Sequence, residues 1–314
     1  MAFSLNISMD RWTGILKVPL YTNSTTYYRV AASLCLSPST KSLSVPAANA
    51  IFFNGDKIKG TGNPVIERLS DLQKIAEILV SKFGNSINAR VVEAPVFNGP
   101  FAVYKDFIPS VNEYGEPKSY DADGFPASSS IVLLLWNCLK EVLLLKVLAL
   151  VFHCSSTLLL GFSKGGAVLN QLVTELGFAP VQLTEDVSLA NKKDQIIPNS
   201  KDGFLNSIAE FHYVDVGLNT EGAYVTNQDV ITKISERLVQ GAPGIRFFLH
   251  GTPRQWCDRD RIWIRKEKDE FFQLLKEAAR KNMGKLYIRE RLYFGNKLPD
   301  LQIHFEIIKH LDVS

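Results

Sequence analysis

In the middle of the chain a serine stands two positions from a glycine on either side, in Gly161-Phe162-Ser163-Lys164-Gly165, with Gly166 following. This G-x-S-x-G spacing suits nucleophilic acyl chemistry. A serine hydroxyl attacks a carbonyl only when a base takes its proton, and a sharp strand-to-helix turn presents the hydroxyl to such a base. Side chains two residues to either side would crowd the strand or the helix, which is why glycine belongs at 161 and 165. The free N–H groups at the start of the following helix, Lys164 first, would face the developing oxyanion. A second donor is expected from the Asn54-Gly55-Asp56 turn, at Asn54 or Gly55, although no HGGG-type run is present. Downstream lie four histidines, His212, His250, His304 and His310, and the carboxylates Asp215, Asp258 and Asp260.

Strand-like and helix-like segments alternate along the chain, without repeats. Residues 11–20 and 26–36, separated by a Thr-Asn-Ser-Thr cluster, read as a hairpin, and residues 49–53 as a buried strand ending at Asn54-Gly55. Apolar spacing of three and four predicts a helix over 65–83, stopped by Gly84. A strand over 89–97 and a long Pro- and Gly-bearing connection over 98–128 follow, and a serine among 128–130 is expected to cap the next helix. Residues 157–160 read as the strand before Ser163, and 167–176 as a helix ended by Gly177. After a polar excursion over 184–203, strands are expected at 209–218, 245–249 and 285–294, and helices at 229–238, 268–280 and 301–311.

The composition narrows the function classes. In 314 residues, 35 basic and 32 acidic side chains leave +3, too small an excess to imply a nucleic-acid partner. Cys35, Cys138, Cys154 and Cys257 lie far apart without a C-x-x-C pair, so neither a metal site nor a disulfide framework is expected, and no cofactor is implied. They read as free thiols inside a cell. The start lacks a basic flank and long apolar run of the secretory type, while its Ser/Thr content with Arg11 and Arg29 faintly resembles an organelle transit sequence. Residues 142–161 carry one charge, Lys146, over the length a bilayer requires. A buried helix running into a parallel strand covered on both faces accounts for the same pattern, so membrane association is not expected.

Two early strands, alternating helices and strands, and the serine turn after the fifth strand resemble the α/β-hydrolase superfamily. That resemblance implies a mostly parallel eight-stranded sheet flanked by helices, formed by residues 1–314 as one domain, and the chain order serine, acid, histidine. Arg246-Phe247-Phe248-Leu249-His250-Gly251-Thr252 looks like the strand whose following loop supplies the acid, which makes Asp258 the expected acid, with Asp260 next. Asp215, in Val214-Asp215-Val216-Gly217, is the alternative. His304, beyond the last strand in Gln302-Ile303-His304-Phe305, is the expected base. His250 is its alternative, and His310 reads as solvent-facing. Each has a structural explanation too: Asp215 as a turn cap, Asp258 as a partner of Arg259 or Arg261, and His304 as a core histidine.

More narrowly, residues 50–56, 161–172, His250-Gly251-Thr252-Pro253-Arg254-Gln255 and Ile303-His304-Phe305 resemble the eukaryotic family typified by the human chromosome-2 open-reading-frame 69 protein. This implies a serine-hydrolase-like fold and mitochondrial residence, with the cytoplasm as the alternative. The expected function is hydrolysis of an ester or thioester of a small-molecule or lipid acyl substrate by Ser163, Asp258 and His304. The alternative is a catalytically silent hydrolase-shaped binding or scaffold protein.

Overall fold

β-Branched and aromatic residues pair Arg11–Pro19 (β1) with Tyr27–Cys35 (β2) as an antiparallel hairpin, in register from Arg11 against Cys35 to Pro19 against Tyr27. The computed structural model describes residues 10–145, 156–181 and 197–314. Ala48–Phe53 (β3) and Ile87–Glu93 (β4) follow, then a small separate ribbon of Val96–Asn98 (β5) and Phe101–Val103 (β6). Ser156–Phe162 (β7), Ile208–Val214 (β8), Ile245–Gly251 (β9) and Leu286–Leu292 (β10) complete the main sheet. Its order is β1-β2-β4-β3-β7-β8-β9-β10. Only β2 runs against its neighbours: β4, β3, β7, β8, β9 and β10 are mutually parallel. This is the α/β-hydrolase sheet, and it puts β7 in its middle.

The helices are Pro64–Leu69 (α1), Leu72–Phe83 (α2), Pro126–Leu145 (α3), Gly166–Phe178 (α4), Lys201–Ser207 (α5), Gln228–Val239 (α6), Pro253–Trp256 (α7), Ile262–Lys281 (α8) and Leu301–His310 (α9). They cover both faces of the sheet. Alternate residues of the central strands divide between two cores. Ile51, Phe53 and Leu159 join side chains of α3, α4, α6 and α8, while Phe52, Leu158 and Leu160 join α1, α2 and α9. Burial on both faces explains why β3 and β7 read as continuous apolar runs.

Three of the differences from the sequence expectation have identifiable physical causes. The helix over 65–83 is two helices, because Asp71 leaves the helical conformation to accept from Lys74 N–H and start α2. α3 begins at Pro126, ahead of the serines. Its free amides at Ala127 and Ser128 are taken at 2.7 and 2.8 Å by the carboxylate of Glu175 on α4, a cap that local sequence cannot reveal. Gly177 does not end α4 but lies inside it, where a Cβ would stand 3.0 Å from Val230 O of α6. Residues 146–155, within the apolar run 142–161, and most of the excursion over 184–203 lie outside the described residues. Among the described residues no helix is long and apolar enough to cross a membrane.

Candidate active site

β7 ends at Phe162, and Ser163 opens a 3₁₀ turn, Ser163–Gly165, that leads into α4. Ser163 has φ of 53°, the left-handed region that costs a side-chain-bearing residue about 1–3 kcal/mol. Its neighbours enforce the turn. A Cβ on Gly161 would stand 2.7 Å from Gly166 Cα, and one on Gly165 would stand 2.1 Å from the carbonyl oxygen of Phe53. Gly161 is therefore required by the helix start and Gly165 by the end of β3. Gly55 is a third such position, since a Cβ there would lie 2.6 Å from Ser163 Cβ. The loop after β3 thus lies directly against the serine. Its Asn54 N–H donates to Val92 O at 2.9 Å and is used by the sheet. Of the two expected loop donors this leaves Gly55, beside the first-turn amide of Lys164, which has no intrahelical acceptor.

His304 comes from α9 and is 5% exposed, its ring stacked on Phe162 with centroids 4.6 Å apart. Its Nδ1 lies 2.7 Å from Asp215 Oδ2. Asp215 follows β8, is fully buried, and has φ of 45°. Its N–H donates to His250 O at 2.7 Å, and its carboxylate accepts from Thr252 N–H at 2.6 Å and Thr252 Oγ–H at 2.8 Å. The carboxylate is fixed before it meets the imidazole, and His304 Nε2 is left for the cavity. Ser163 and His304 line one cavity of about 570 Å³ without a direct hydrogen bond between them.

The structure places the other expected residues differently. Asp258 also lines this cavity, but it accepts from Asp260 N–H at 2.9 Å and from Arg261 Nε at 2.9 Å. Burial alone would raise its carboxyl. The Asp260 N–H and the Arg261 guanidinium outweigh this and hold it below the usual aspartate range. The carboxylate on His304 is therefore that of Asp215, the alternative, and not that of Asp258. His250 lies inside a buried chain: its Nε2 is 3.2 Å from His212 Nδ1, its Nδ1 is 3.0 Å from Tyr293 OH, and His212 Nε2 is 2.7 Å from Glu210 Oε2. It does not line the cavity, and its contribution to the site is the backbone carbonyl that holds Asp215. His310 is exposed.

Lys164 is not a solvated side chain. It is 2% exposed, with Nζ 3.0 Å from Glu116 Oε1, 3.4 Å from Asp56 Oδ1 and 2.8 Å from Tyr114 O. It ties the β3 loop and the long connection before α3 to the serine turn. Burial raises the Asp56 carboxyl, and Lys164 only partly offsets this. Sequence reading missed Thr252, Phe162 and Glu116. Thr252 was discoverable in principle, as a threonine before a proline at a strand end is a helix cap within reach of the adjacent strand's end. A second cavity, of about 340 Å³ and lined by Tyr120, Glu221 and Glu267, holds none of these residues. Among the described residues no cluster of three or more His, Cys, Asp or Glu could hold a metal ion.

The arrangement brings a serine hydroxyl and an imidazole whose Nδ1 is held by a buried carboxylate to the wall of one cavity, at the start of a helix. Residues 146–281 match the C2orf69 family. The mitochondrial protein C2orf69 homolog of Mus musculus is 30% identical over 154 residues, covering 49% of this chain and 34% of that protein. Mitochondrial protein C2orf69 of Homo sapiens is 30% identical over 154 residues, covering 49% of this chain and 33% of that one. The matched region thus spans about a third of the length of these relatives. An IroE-like serine hydrolase from Shewanella oneidensis superposes with a TM-score of 0.49 at 10% identity, covering 96% of this chain and 79% of that one. Over residues 146–281, the stretch that carries Ser163, Asp215 and Thr252, this chain is similar to the C2orf69 family, and its sheet has the α/β-hydrolase order.

Proposed function

We propose that the protein is a serine hydrolase acting on an ester or thioester of a small-molecule or lipid acyl group. The observation that carries this reading is the left-handed Ser163 at the β7–α4 turn, sharing its cavity with a His304 already held by Asp215. His304 Nε2 takes the Ser163 proton as Oγ attacks the acyl carbonyl, and the amides of Gly55 and Lys164 receive the oxyanion. The imidazolium returns the proton to the leaving alcohol or thiol as the carbon–oxygen or carbon–sulfur bond breaks. Water then enters and attacks the acyl carbon as it gives a proton to His304, which passes that proton to Ser163 Oγ as the acyl–Oγ bond breaks and the acid leaves. Asp215 keeps Nδ1 protonated and stabilises the imidazolium throughout.

The test is reaction with a fluorophosphonate probe. Folded wild-type protein is expected to label and Ser163→Ala protein is not. Equal labelling, or none in either, sinks the nucleophile. A second reading, a hydrolase-shaped binding protein, is favoured by the missing hydrogen bond between Ser163 and His304. Such bonds often close only when substrate binds, which is why labelling rather than apo geometry decides. The relatives are named as mitochondrial proteins, so mitochondria are the compartment in which to look for the substrate.

A further inference from the structure

The proposed acyl chemistry leaves two polar side chains of the cavity unused. Arg254 stands at the start of α7 and lines the cavity, and its guanidinium makes no ion pair or hydrogen bond among the described residues. The other cations of that wall are occupied: Lys164 sits between Glu116 and Asp56, and Arg261 is bound to Asp258. Asp260, the remaining charge, is exposed and screened by solvent. Gln255, next in the chain, is 4% exposed, and its Oε1 is buried without a partner. It presses on Gly217, where a Cβ would lie 2.1 Å from that oxygen, so the glycine makes the room this amide occupies at the cavity wall. A buried amide end without a partner is a group waiting for one.

We propose that the acyl substrate carries an anionic group, a carboxylate or a phosphate, which Arg254 binds while the Gln255 amide hydrogen-bonds the same group or the polar atom beside it. This rests on the serine-hydrolase reading of the site. The guanidinium fork matches the paired oxygens of either anion; an anion only accepts, so Gln255 meets it through its Nε2–H, while Oε1 accepts from a donor beside the anion. Thr252 fixes the acid of the site and Arg254 follows two residues later, so one short turn sets the distance between the anion and the reacting carbonyl.

The experiment compares kcat/KM for 4-nitrophenyl hydrogen succinate and 4-nitrophenyl butyrate. The wild type is expected to prefer the succinate ester. Arg254→Gln is expected to lower that preference by about tenfold or more, the size of one charge-assisted pair, and Arg254→Lys to restore part of it. Melting curves establish that each variant is folded. A wild-type preference for butyrate, or a ratio unchanged in Arg254→Gln, overturns the proposal while leaving the nucleophile standing. A calorimetric titration of Ser163→Ala protein with monomethyl succinate and with methyl phosphate needs no turnover and shows which anion is held. Binding of either that Arg254→Gln abolishes upholds the anion site even if no ester is cleaved, which would then count against the hydrolase reading alone. Binding of neither overturns the proposal.

Discussion

Asp215 reaches His304 Nδ1 at 2.7 Å from 89 residues away in sequence, and Thr252 holds the same carboxylate from the other side. An asparagine there would still fill the space, but it would reverse the hydrogen bond or weaken it and release the imidazole from the tautomer it needs. Asp215→Asn is therefore expected to lower kcat on a short-chain ester by roughly 10³–10⁴. Asp258→Asn, which loosens a partly exposed pair with Arg261, is expected to lower it by less than about tenfold. Equal losses in the two variants would return the role to Asp258.

The contact between Gly55 and Ser163 yields a second prediction. A Cβ at residue 55 would lie 2.6 Å from Ser163 Cβ and 2.9 Å from Phe162 O, and the backbone on both sides is held by sheet and helix. Gly55→Ala is expected to destabilise the protein by about 1–3 kcal/mol, as overpacking does. It should also slow fluorophosphonate labelling more than that loss of folded protein accounts for, because the Gly55 amide proposed to receive the oxyanion moves with it. Labelling rates scaled to the folded fraction from a urea titration check this.

How far the sequence revealed the site depended on whether a residue's role was local. The serine turn was legible because Gly161, Ser163 and Gly165 act on one another within five residues. The mostly parallel eight-stranded sheet was legible from the alternation of strands and helices and from the superfamily resemblance, but its strand order was not. The choice between Asp215 and Asp258 was not local, since it turns on which of two strand-end loops bends toward α9. One clue was present: Asp258 lies in Asp258-Arg259-Asp260-Arg261, where guanidinium partners are at hand, whereas Asp215 sits between Val214 and Val216 and must find its partners in tertiary structure. The cap of α3 by Glu175 and the burial of Lys164 were equally invisible, because both depend on groups some 50 residues away.

The buried histidines give the fold a pH dependence. Burial lowers both His212 and His250, the latter well below its ordinary 6.5, with the neighbouring histidine adding to the effect on His250. Glu210 and Arg246 face His212; Tyr293, Arg289, Arg291 and Asp312 surround His250. In the folded protein these rings stay neutral as pH falls, while the unfolded chain takes up their protons near 6.5. The unfolded state binds more protons, so stability drops as pH falls below that value, by up to about 1.4 kcal/mol per pH unit for each ring. The raised carboxyls of Asp56, Glu175 and Glu267 act in the opposite sense. His250→Gln removes one ring and is expected to flatten the fall in urea midpoint between pH 7.5 and pH 5.5. An identical slope in the variant would show that the histidines do not govern it.

Lys164 offers the last prediction, because its ammonium is buried between two carboxylates. Lys164→Met keeps the backbone amide proposed to receive the oxyanion but leaves Glu116 and Asp56 without their cation. Breaking a buried pair from one side is expected to cost about 3–5 kcal/mol, and Lys164→Met/Glu116→Gln should recover part of it by removing the stranded charge. The loss should also depend on pH. Burial already raises the Asp56 carboxyl, and Lys164 opposes that rise, so without the lysine the folded protein holds a proton on Asp56 more readily than the unfolded chain does. Folding then gains from protonation, and the deficit shrinks as pH falls. Urea titrations at pH 8 and pH 5.5 are expected to give a smaller difference between wild type and Lys164→Met at the lower pH. The same difference at both would mean that the lysine stabilises the turn through its cation–π contact with Phe101 rather than by holding the Asp56 charge.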